Sequence, residues 1–128
     1  MADAVTSQLL ADGEKNVVMK FTNVSDGVGE ASVLKVDVST LYKTPAQVRI
    51  DRIIASTSGM GVNIAWDATA DVTAFIVAAG TSEEYDFRCF GGLPNNAGAG
   101  KTGDINFTTV GATANDTYTI ILHMTKEY

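Results

Sequence analysis

Apolar side chains recur at every second position along most of this chain, and that spacing constrains the fold more than any other feature. Successive side chains on a strand point to opposite faces, so such alternation marks strands with one buried face. Val17, Met19 and Phe21 share one face. Leu34, Val36 and Val38 alternate with Lys35 and Asp37, and Val62, Ile64 and Trp66 alternate with Asn63, Ala65 and Asp67. Ile105 aligns with Phe107, and Tyr118, Ile120, Leu122 and Met124 line up against Thr117, Thr119, His123 and Thr125. Tyr85, Phe87 and Cys89 fall together opposite Asp86 and Arg88. The run from Val48 keeps the rhythm through Ile50 and loses it at the doublet Ile53–Ile54, which suits a β-bulge or a strand buried on both sides. The segment 71–79 is apolar on both faces and reads as a central strand.

Turn-forming residues separate these runs at short intervals, at 26–30, 40–46, 58–61, 67–71, 78–84, 91–103 and 111–116. No window shows a sustained helical stripe, beyond a short turn near 40–46. The pattern predicts an all-β chain, a single β-sandwich of about eight strands spanning 1–128. A jelly roll is the first expectation and an immunoglobulin-like sandwich the alternative, with residues 1–12 an N-terminal arm or an edge strand. At 128 residues the chain is one ordinary domain, long enough to hold a core without disulfides or a structural metal.

Charge and composition narrow the function. Nine basic residues stand against fifteen acidic ones, a net charge of −6, with no basic run. Nucleic-acid binding rests on Lys and Arg neutralising phosphates, so neither DNA nor RNA is an expected partner. Anionic lipid is disfavoured for the same reason, and no apolar stretch approaches the roughly 20 residues that span a bilayer. The first ten residues lack the basic and apolar regions of a signal peptide, which leads us to expect folding in a reducing cytoplasm. Cys89 is the lone cysteine and reads as a small buried apolar residue.

Candidate chemistry is sparse. Gly98–Thr102 (GAGKT) resembles the end of a phosphate-binding loop, but Asn95 stands where the template needs Gly, and a strand pattern follows where a helix must open. Asp26 with Glu30, and Asp67 with Asp71, lack calcium-loop spacing and read as turn carboxylates. Glu83 and Glu84 are adjacent, so on a strand they diverge. His123 is the sole histidine, set in a strand with no oriented triad, and no His/Cys cluster has zinc-ligand spacing. No catalytic residue, cofactor or metal site is expected. Trp66 could stack on a sugar, but it shares a face with Val62 and Ile64 and reads as core. The 91–103 loop holds five of the twelve glycines and reads as a contact loop that orders against a neighbouring subunit. Its Leu93, Pro94, Asn95, Asn96 and Lys101, with Leu9 and Leu10 near one end and Tyr128 at the other, are the candidate interface residues.

The runs KNVVMKFTNVSDGVGEASVLKVDVSTL, VRIDRI, GMGVNIAWDAT, FGGLPNNAG, TGDINFTTVG and DTYTIILHMTKEY together resemble small virion structural proteins of tailed phages, notably marine and cyanobacterial ones. The similarity spans most of the chain and assigns no residue a role. It implies a non-enzymatic capsid decoration or cement protein, made in the host cytoplasm and carried in the virion. Its partners would be the major capsid protein and copies of itself as a dimer or trimer. A neck, tail or fibre component of the virion and a host-glycan-binding module are the alternatives.

Overall fold

The computed structural model describes residues 4–27 and 31–127. Among them nine strands form: β1 (Ala4–Asp12), β2 (Asn16–Asp26), β3 (Val33–Val36), β4 (Gln47–Ser58), β5 (Gly61–Trp66), β6 (Val72–Val77), β7 (Ser82–Asp86), β8 (Ile105–Val110) and β9 (Ala114–Glu127). Short 3₁₀ turns occupy Val38–Thr40 and Arg88–Phe90.

The strands build two sheets, in the orders β1-β2-β9-β4-β7 and β3-β8-β5-β6. All pairings are antiparallel. Within this order β2 pairs with β9, β3 with β8, β4 with β7 and β5 with β6. Those are the rungs of one long hairpin whose two arms run β2 to β5 and β6 to β9. Rolling that hairpin up adds the β4–β9 and β5–β8 contacts and closes two stacked sheets. This is the double Greek-key pairing of a jelly roll, so the immunoglobulin-like alternative is set aside. The expected N-terminal arm or edge strand is β1, lying along β2 at the margin of the larger sheet.

The core follows the sequence pattern. Val17, Phe21, Ile53, Ile64, Trp66, Ile105, Phe107, Tyr118, Ile120, Leu122 and Met124 are all buried between the sheets. Phe107 of β8 meets Phe21 of β2 edge-on at 5.1 Å and Tyr118 of β9 at 6.0 Å. Such edge-to-face pairs add about 0.5–1.5 kcal/mol beyond the area they bury.

The broken rhythm of β4 is a bulge. Ile50 pairs with Met124 and Arg52 with His123, which leaves Asp51 without a partner on β9. The extra residue lets Val48 and Ile50 before it, and Ile53 and Ala55 after it, all face the core.

Three expectations are corrected. The segment 71–79 supplies β6, an edge strand, and the strand buried on both faces is β5. Leu34 is exposed, because a bulge between Leu34 and Val36 shifts the phase of β3 and turns Lys35 inward. Cys89 is exposed, since β7 ends at Asp86 and the chain leaves the sheet before the alternation can carry the thiol inward.

One buried charge ties an end of the sandwich together. The Lys126 ammonium, on β9, donates to the Asp12 carboxylate, to the Gly13 carbonyl at 2.7 Å and to the Tyr42 carbonyl at 2.8 Å. Three N–H groups meet three acceptors, so the ion is fully satisfied. The other Asp12 oxygen accepts from the Tyr42 backbone N–H at 2.9 Å. Burial pushes the Asp12 carboxyl up, but the Lys126 hydrogen bond, the Tyr42 N–H and the attraction of the ammonium together outweigh it and hold the group below its ordinary value.

Candidate functional site

The 91–103 loop is pinned to the protein. Leu93 exchanges two backbone hydrogen bonds with Ile50, at 2.7 and 3.0 Å, and its side chain packs on the core, as does Ala97. Asn95 is buried, with its Oδ1 accepting the Ala97 N–H at 3.1 Å. Asn95 is therefore buried and Leu93 partly buried, while Pro94, Asn96 and Lys101 of the expected loop contacts are exposed. Two glycines explain the composition. Each has positive φ, and a Cβ on Gly100 would meet Thr69 Oγ1 at 2.0 Å, while one on Gly103 would meet the Ala46 carbonyl oxygen at 2.0 Å. Close backbone approach, rather than mobility, requires them. GAGKT runs into strand β8, so no helix N-terminus is present there to hold a phosphate.

The turn carboxylates are bonded rather than merely solvated. Asp67 accepts from Thr102 Oγ1 at 2.7 Å and from Asn106 Nδ2 at 2.9 Å, and Asp71 accepts from the same amide at 3.2 Å. They lash the β5–β6 turn to β8 and to the loop before it. Of the other acidic pair, the Asp26 side chain and Glu30 lie outside the described residues. Among the described residues no three His, Cys, Asp or Glu side chains gather as a metal site would require.

An open hollow of about 210 Å³ on the outer face of the larger sheet is lined by Asn16, Val18, Asp51, Arg52, Arg88, His123 and Met124. Small-molecule pockets usually run to about 300–1,000 Å³. His123 Nε2 lies 3.2 Å from Arg52 Nη2. A guanidinium only donates, so Nε2 must accept, which fixes the neutral ring with its proton on Nδ1. Burial first, then the positive charges of Arg52 and Arg88, hold His123 below its ordinary pKa. The ring's lone pair is thus committed to Arg52 and is not free to activate a nucleophile. Sequence reading missed this cluster, because the bulge at Asp51 is what sets Arg52 opposite His123.

Exposed apolar side chains line both lateral rims of the sandwich, while Val24, Tyr42 and Val110 are exposed elsewhere. On the β1 side, Leu9 and Leu10 are 50% and 52% exposed, with Val5, Val33 and Leu34 also open to solvent. On the β6–β7 side, Phe75 packs against Tyr85 at 4.7 Å and Phe87 at 5.5 Å, and Phe87 against Phe90 at 6.1 Å. That row ends in Phe90 and lies beside Ile76, 63% and 62% exposed. Trp66 is buried and offers no face to a sugar. Tyr128 lies outside the described residues.

No family model and no curated protein matches the chain. Among solved structures, a cupin superfamily protein from Desulfitobacterium hafniense is similar over 100% of this chain and 82% of its own, with 10% identity and a TM-score of 0.38. A protein described as CBM4 is similar over 95% of this chain and 94% of its own, with 11% identity and a TM-score of 0.28. The jelly-roll assignment rests on the strand order.

Proposed function

We propose that this chain is a non-enzymatic structural protein of a tailed-phage virion, a capsid decoration protein that bridges major capsid subunits. The observation that carries this reading is the placement of exposed apolar side chains at two opposite rims, Leu9 and Leu10 on one side and Ile76 and Phe90 on the other. Clustered exposed apolar side chains suit contact with other proteins, and a bridging protein needs two such faces. The resemblance of the sequence to tailed-phage virion proteins supplies the particle. The packed core and the fully satisfied Lys126 clamp suit a part that bears load without changing shape. Quantitative mass spectrometry of purified particles tests the proposal. The expected result is a copy number in fixed proportion to the major capsid protein. Low copy with the tail proteins would move the chain to a neck, tail or fibre position, and absence from the particle would end the virion reading.

A further inference from the structure

We propose that β1 pairs with β1 of a second copy, antiparallel about a two-fold axis at Ser7, which joins two five-stranded sheets into one continuous sheet. The two sheets of the sandwich expose four edges, and three of them are guarded. β3 is four residues long, bulged and carries Lys35. β7 carries Glu83, Glu84 and Asp86, which repel a like copy. β6 has a bulge opposite Ile64 and Ala65, and its Phe75 is engaged with Tyr85 and Phe87. Short length, charge and bulges are the usual defences of an edge strand. β1 has a bulge between Leu9 and Ala11 and a charge at Asp12 only at its far end, whereas from Ala4 to Leu9 its register with β2 runs without interruption and its side chains carry no charge. In a chain of net charge −6, this is an edge that two copies can bring together without repulsion.

Two further observations point to a second copy rather than to an unrelated strand. Val5–Ala11 are exposed on both faces, because β1 is the fifth strand of a sheet stacked on a four-stranded one. Val5, Ser7 and Leu9 pair with Asn23, Phe21 and Met19, so they continue the inner face beyond the edge of the opposite sheet. The order Val5, Thr6, Ser7, Gln8, Leu9 is also a palindrome of polarity. About a two-fold axis at Ser7, Val5 faces Leu9 of the other copy, Thr6 faces Gln8, and Ser7 faces its twin. An isologous interface requires such self-complementarity. The inference concerns the isolated chain and stands or falls apart from the virion reading.

Cysteine cross-linking with Cys89→Ser as the background tests it. Residues at a two-fold axis of antiparallel strands have Cα atoms about 4.5–5.5 Å apart, within disulfide range. Under oxidised glutathione, S7C is expected to give a covalent dimer in high yield, and the double variant V5C/L9C likewise, while T6C, whose partner is Gln8, stays largely uncoupled. Sedimentation of the unmodified chain is expected to show a concentration-dependent species at twice the 13.5 kDa chain mass. Ser7→Lys, which sets two ammonium groups together, should abolish that species with the circular dichroism unchanged. Monomeric sedimentation at the highest soluble concentration, or T6C coupling as well as S7C, would overturn the pairing. A monomer that still enters particles would leave the virion reading in place.

Discussion

Replacing Lys126 by Met keeps the length and apolar stem of the side chain and removes only the ammonium. The structure indicates what is then lost. The Asp12 carboxylate, the Gly13 carbonyl and the Tyr42 carbonyl each lose a donor at a position where the Lys126 side chain is fully buried and Asp12 is 14% exposed. Removing one member of a buried ion pair strands the other charge and costs about 3–5 kcal/mol. For a chain of this length, between the size classes for which the relation is known, each kcal/mol lowers Tm by about 3–5 °C, so a fall of about 9–25 °C is expected. Urea unfolding followed by tryptophan fluorescence gives the free energy directly, since Trp66 is the only tryptophan and is buried. Adding Asp12→Asn to Lys126→Met should restore part of the loss, because no charge is then stranded, and the coupling should amount to about 1–3 kcal/mol. The sign with pH follows from Asp12. Its folded pKa is depressed, so its contribution is complete above the ordinary value of 3.8 and is lost as pH falls below it, and the Lys126→Met variant should lack that acid-side component. A loss below about 1 kcal/mol, or a double variant no better than the single, would refute the account of the clamp.

Gly103→Ala should destabilise the protein by at least about 2–3 kcal/mol, since it combines a positive φ with a Cβ placed 2.0 Å from the Ala46 carbonyl oxygen, and thermal melts check this. His123 has a folded pKa below its ordinary value of 6.5, so stability should be complete above that pH and decline as pH falls through the folded value. In His123→Gln this decline should be missing, and an NMR titration of the ring should show both the depressed pKa and the Nδ1–H tautomer.

Much of this fold is legible in the sequence because a period of two is a property of the strand itself. β9 shows it best: Tyr118, Ile120, Leu122 and Met124 all enter the core as their spacing requires. The rhythm break at Ile53–Ile54 marked the β4 bulge for the same reason. Segments failed where periodicity no longer carries the information. β6 is apolar on both faces yet lies at an edge, because one of its faces belongs to the aromatic rim. Cys89 left the expected phase once the chain turned out of β7. The glycine content of the 91–103 loop suggests a contact loop, but Gly100 and Gly103 are there to let the backbone pass Thr69 and Ala46, contacts that depend on segments distant in the chain. The Lys126–Asp12 clamp joins residues near opposite ends of the sequence, and the Arg52–His123 contact depends on a register set by one bulged residue. Leu9 and Leu10 were visible as unpaired apolar residues near one end, and the structure adds that their strand overhangs the sandwich.

The proposed role has the domain make its contacts through the rims of its sheets. A cryo-EM reconstruction of purified particles, at a resolution that separates strands, tests it most directly. We expect jelly-roll density on the capsid exterior, spanning adjacent capsid subunits, with the β1 and β6–β7 sides in the contacts and the outer sheet faces in solvent. A shell without such density, or a domain that meets its neighbours through the hollow at His123 while both rims face solvent, would contradict it.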